Sequence, residues 1–93
     1  MAISSHKRVR APEQVLVRRV EAEAVLLDLG SEQVFGLDEV ATAMWEALNT
    51  AASVEEAYQI LLEDFDVDED ILRRDLSVLI DQLIEARLLE ADD

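Results

Sequence analysis

The stretch EAVLLDLGSEQVFGLDEVATAMWEALN, residues 23–49, changes its hydrophobic period part-way along. Ala24 to Leu29 and Val34 to Leu37 are short β-prone runs, separated by Gly30 and Ser31, which mark a turn. From Asp38 the spacing lengthens. Leu37, Val40, Ala41, Met44, Trp45 and Leu48 recur at the three-and-four interval of one helix face, with Asp38 placed to cap the first turn. The stretch therefore predicts two antiparallel strands and a helix that ends near Asn49.

Toward the N-terminus, Val15, Leu16 and Val17 form another β-prone run, which completes an antiparallel meander of three strands. Met1 to Pro12 lack periodicity and contain the only proline, so residues 1–13 are expected to form a flexible tail. The only histidine, His6, falls in that tail, where no nucleophile can be held against it in a fixed geometry.

Toward the C-terminus, Ser53 and Glu56 have the spacing of a capping box and open a second helix with Val54, Ala57, Tyr58, Leu61 and Phe65 on one face. Asp68 is placed to cap a third helix whose acidic first turn, Glu69 and Asp70, suits the positive end of the helix dipole. That helix is expected to run to about Leu88. Leu72, Leu76, Leu79 and Leu83 form its central stripe, flanked by Ile80 and Ile84 on one side and by Ile71 and Val78 on the other. A face this wide fits either full burial or a partly open groove.

The chain has 93 residues and no cysteine, which bounds it to one domain, here 14–90, without disulfides or thiolate chemistry. Its formal charge is -14, and five of its eight basic residues (Lys7, Arg8, Arg10, Arg18 and Arg19) precede Val20. None lies between Val20 and Leu72, so the middle of the chain repels phosphate and nucleic acid is not expected as a partner. Apolar runs such as Ala24 to Leu27 are far too short to cross a bilayer, and a cytoplasmic protein with no membrane partner is expected. No cofactor is expected either. Gly30 and Gly36 are the only glycines, too few for a phosphate-cradling loop. Asp64, Asp66, Asp68 and Asp70 alternate as in a calcium loop, but Glu69 stands where the sharp turn needs glycine and Asp75 occupies the twelfth position.

Taken in order, Glu23 to Asp28, Val34-Phe35-Gly36-Leu37-Asp38, Ala43-Met44-Trp45, Ser53-Val54-Glu55-Glu56, Arg74-Asp75-Leu76 and the closing Leu83 to Leu89 resemble the PqqD family. Its members are recognition elements for ribosomally synthesised, post-translationally modified peptides. The resemblance covers residues 14–90 and implies an α+β, winged-helix-like domain, a three-stranded antiparallel sheet followed by three helices. It implies a non-enzymatic peptide chaperone of natural-product biosynthesis that binds the leader of a precursor and presents it to a separate modifying enzyme. That enzyme would be a radical SAM protein or a leader protease. Asp38 stands where the family more often has asparagine; either residue caps a helix.

The family binds its leader by strand addition at the third strand, beside the third helix. Carried onto this chain, that implies Gln33, Val34, Phe35, Gly36 and Leu37 on the strand, and Arg73, Arg74, Ser77, Ile80, Asp81 and Ile84 on the helix. Gly36 would admit a close backbone approach or ease a bend, and the two arginines would pair with leader carboxylates or with nearby acids. The acidic middle of the chain would face the enzyme. An open strand edge can also pair with its own copy, as a homodimer. A winged-helix adaptor or regulator without a leader is the alternative function. An acyl carrier protein is a third class, but Asp75-Leu76-Ser77 lies inside a helix where that family needs Asp-Ser-Leu at a helix start.

Overall fold

A computed structural model of the chain describes residues 7–92. The element order is β1 (Arg8–Arg10), β2 (Val15–Val20), β3 (Glu23–Asp28), β4 (Gln33–Leu37), α1 (Glu39–Thr50), α2 (Val54–Asp64), α3 (Glu69–Glu85) and β5 (Glu90–Asp92). Strands β2, β3 and β4 form the expected antiparallel meander, with β3 in the centre and β2 and β4 at the edges. Leu26 pairs with Val17 on one side and with Phe35 on the other, so these three side chains share the sheet face that carries Ala24 and Leu37. Leu26 is fully buried.

All three helices begin at the expected caps. The Asp38 side chain accepts the Ala41 amide at 2.8 Å, Ser53 accepts Glu56 at 3.1 Å, and Asp68 accepts both Asp70 and Ile71. Glu56 closes its half of the capping box on the Ala52 amide, one residue before the cap itself. Two hydroxyl bonds fix the packing. Thr42 donates to the Leu37 carbonyl and ties β4 to α1, while Tyr58 donates to the Glu69 carbonyl and ties α2 to the start of α3. Among the described residues, no buried side-chain polar atom lacks a partner.

Two expectations differ from the structure. From Lys7 onward the supposed tail belongs to the fold: β1 pairs with β5, and Val9 is 1% exposed. The Ala11 amide donates to Asn49, and the Lys7 carbonyl accepts the Val54 amide. Burial of Val9 with these bonds outweighs the entropy of ordering so short a segment. Residues 1–6, including His6, lie outside the described residues.

The second difference is the end of α3, which comes at Glu85. Arg87 takes a left-handed conformation (φ 62), its amide donates to Ile84, and the Leu88 amide reaches back to Leu83 at 2.8 Å. These two bonds are a Schellman ending, here built without glycine. It turns the chain so that Leu88 and Leu89 enter the core and β5 meets β1. Among the described residues, no helix is long and apolar enough to cross a membrane.

Candidate functional site

Strand β4 pairs only with β3, so every second residue along it turns its amide and carbonyl toward an open edge. Beside that edge is a cleft of about 740 Å³, lined by Asp28, Ser31, Gln33 and Phe35 from the hairpin and by Gln82, Glu85, Ala86 and Arg87 from the end of α3. The cleft follows from the alternation of β4 and the stop of α3. Gln33, Phe35 and Leu37 share the inner face; Leu37 is buried, Phe35 is half-buried against the core, and Gln33 is exposed at the mouth. Val34 and Gly36 lie on the outer face. A Cβ at Gly36 would meet nothing within 4 Å, and no glycine has a positive φ, so the fold itself does not require glycine there.

The expected helix residues separate by flank. Arg73, Ser77, Ile80 and Ile84 follow one another at four, three and four residues and so share one flank of α3. That flank begins against α2. The Arg73 guanidinium lies 3.9 Å from the centroid of the Tyr58 ring and pairs with Glu55 at 3.3 Å, a bond that holds it still more firmly protonated. Ile80 is buried, Asp81 and Ile84 are half-buried, Ser77 is exposed, and Arg74 pairs with Asp75 at 3.5 Å. None of these six lines the cleft beside β4. The residues that do, Gln82 and Glu85, belong to the other flank, with Ile71, Asp75 and Val78 at the same helical spacing. The three-and-four spacing of those five residues was a usable signal. What it lacked was the identity of the neighbour on each side.

Replacing Arg73 with alanine is accordingly expected to cost about 0.5–1 kcal/mol of stability, the scale of an exposed cation–π contact. A thermal melt of the variant beside the parent checks this.

Asp28 is a second feature missed from sequence. It is 5% exposed, and its Oδ1 accepts the Gly30 amide at 2.9 Å and the Ser31 amide at 3.4 Å. Its own carbonyl accepts the Glu32 amide, and Leu29 donates back to Gln14. The Gly30 bond lowers the carboxyl pKa below its usual range, against the opposing effect of burial. The carboxylate thus pins the β3–β4 loop and sets the lip of the cleft. A depressed pKa gives stability that is present above the ordinary carboxylate value, about 3.9, and is lost as pH falls through the lowered one. Melts of the parent and of Asp28→Asn between neutral and acidic pH should therefore differ most near neutrality and converge in strong acid.

The PqqD family model, described as coenzyme PQQ synthesis protein D, matches residues 23–89, from the start of β3 to the residue before β5. The chain belongs to the PqqD family. Solved structures agree with that placement of the PqqD domain. TbiB1 in complex with the TbiA(beta) leader peptide superimposes with a TM-score of 0.80 at 30% identity, covering 87% of this chain and 94% of that one. Lasso peptide synthetase B1 complexed with the leader peptide gives a TM-score of 0.79 at 23% identity, covering 89% and 98%. A search of curated proteins gives no match.

Proposed function

We propose that this PqqD-family protein binds the leader peptide of a ribosomally made precursor and presents it to a separate modifying enzyme. The observation that carries this is the cleft between the open edge of β4 and the end of α3, in a domain whose 30%-identical structural relative is described as a leader-peptide complex. A leader added as a fourth strand would satisfy the outward backbone groups of β4. Backbone bonding of this kind tolerates many sequences, while Phe35, Gln82, Glu85 and Arg87 select among the side chains that enter the cleft.

The role asks for no catalytic group on this chain. Holding the leader raises the local concentration of the attached core peptide near the enzyme, which accelerates its modification without a new chemical step. A radical SAM enzyme and a leader protease both fit that role. The formal charge of -14 opposes the competing use of β4, pairing with a second copy.

Amide NMR of the labelled protein, titrated with the synthetic leader of a candidate precursor, tests the proposal. Shifts concentrated at Gln33 to Leu37 and at Gln82 to Arg87 are expected. A folded protein with no shifts at saturating peptide would remove the assignment for that leader.

A further inference from the structure

Strand β2 is the other edge of the sheet. It pairs only with β3, and no residue from Leu16 to Val20 makes a backbone bond to a described residue outside that pairing. Its outward amides and carbonyls are therefore as open as those of β4, which lies about 10 Å away, two strand spacings across the sheet. All five of those residues are exposed. Three are large and apolar: Leu16 at 50%, Val17 at 43% and Val20 at 64%. An edge strand that carries apolar side chains on both faces is a template for pairing with another chain.

The side chains of β2 state the chemistry of that chain. By alternation Leu16, Arg18 and Val20 share the outer face of the sheet, opposite Leu27, Val25 and Glu23, while Val17 and Arg19 share the inner face. On the inner side a groove of about 600 Å³ opens beside the strand, with Val17 and Arg19 at β2, Ala43 and Ala47 on α1, and Ile60 and Asp64 on α2. Arg19 is already paired there with Glu46 of α1. Arg18 is not: among the described residues none forms an ion pair or a hydrogen bond with its side chain. It is a free cation flanked by two exposed aliphatic residues, in a chain whose formal charge is -14.

We infer that β2 is the docking strand for the modifying enzyme, which adds a strand of its own at this edge. The enzyme strand carries a carboxylate facing Arg18, with apolar residues two positions to either side against Leu16 and Val20. Its alternate side chains, apolar as well, enter the groove beside Val17. This rests on the presenting role proposed above and names the surface through which that role is carried out. A protein that presents a peptide holds leader and enzyme at the same time, and β3 lies between the two edges, so a strand at β2 leaves β4 free. Charge selects the enzyme over a second copy. In an antiparallel seam of β2 with itself, centred on the strand, Arg18 and Arg19 come within a residue or two of the same pair on the copy, where like charges repel. Each copy also brings its full -14. A carboxylate on the enzyme strand instead gives Arg18 the partner it lacks.

The probe is the purified enzyme, radical SAM protein or leader protease, whose action on a candidate precursor the parent protein accelerates; if it accelerates none, it is the proposed function that fails. Arg18→Glu and Val17→Asp, both at exposed positions, should melt within a few degrees of the parent and bind the leader with unchanged affinity. Each should bind the enzyme at least tenfold more weakly by fluorescence anisotropy. Arg18→Lys should recover most of that loss, and changing one enzyme carboxylate to lysine should restore binding to Arg18→Glu. Leader and enzyme should bind together without competition. Parent-like enzyme affinity in both variants, or displacement of the enzyme by the leader, would overturn the inference and leave leader binding at β4 standing. A parent dimer in sedimentation that Arg18→Glu dissociates would assign the edge to a second copy instead.

Discussion

Proline at whichever of Gln33 or Val34 turns its amide away from β3 is expected to weaken leader binding about 100-fold while the domain melts within a few degrees of the parent. Neighbouring residues of a strand point their amides in opposite directions, so one of these two faces the ladder and the other faces the open edge. Both side chains are exposed, so removing either forfeits little packing. The outward proline deletes a donor that only an added strand would use, and its ring obstructs the incoming backbone; roughly 3 kcal/mol corresponds to about two decades in affinity. The inward proline breaks a bond to β3 and is expected to lower the melting temperature. Paired melts and anisotropy titrations of the two variants separate these outcomes. A well-folded outward variant that binds the leader normally would rule out strand addition at β4.

The second large effect is on the fold itself. Leu83→Ala should destabilise the domain by about 2–5 kcal/mol, a large share of the roughly 5–15 kcal/mol available to a natural domain. At this size that corresponds to a fall in melting temperature on the order of 10–30 °C, read by circular dichroism. Leu83 is fully buried in the core cluster, and its carbonyl accepts the Leu88 amide that closes α3. Truncation leaves a cavity beside the turn that positions Ala86 and Arg87, so leader affinity should fall together with stability. Val78→Ala, on the exposed flank of the same helix, is the contrasting variant, with an expected change within about 0.5 kcal/mol. A melting temperature for Leu83→Ala close to the parent would mean that α3 does not depend on this contact.

Local signals made the meander and the three helix starts legible. Asp38, Ser53 and Asp68 each bond amides two or three residues away, and the alternation of β4 places Phe35 and Leu37 on one face without reference to anything distant. Non-local features were not legible. Val9 pairs with Ala91 at the far end of the chain, and a three-residue strand is too short to show a period. The early stop of α3 depends on Arg87 accepting a backbone conformation usually left to glycine. Of the expected site residues, Gln33 and Phe35 line the cleft beside β4, whereas none of the six on α3 does. A hydrophobic stripe shows that a helix has flanks, but only the tertiary contact of Arg73 with Tyr58 and Glu55 shows which flank meets α2 and which is left for the cleft.

The pairing of β1 with β5 also sets how the domain can be joined to other proteins. Arg8 and Asp92 are register partners, so the two ends of the described residues lie side by side. A protein with adjoining ends can be spliced into a surface loop of a host without pulling its own structure apart. This domain is therefore suited to transplantation as a cassette: inserted through short linkers into an unrelated catalyst, it would carry its cleft into the new scaffold in working order.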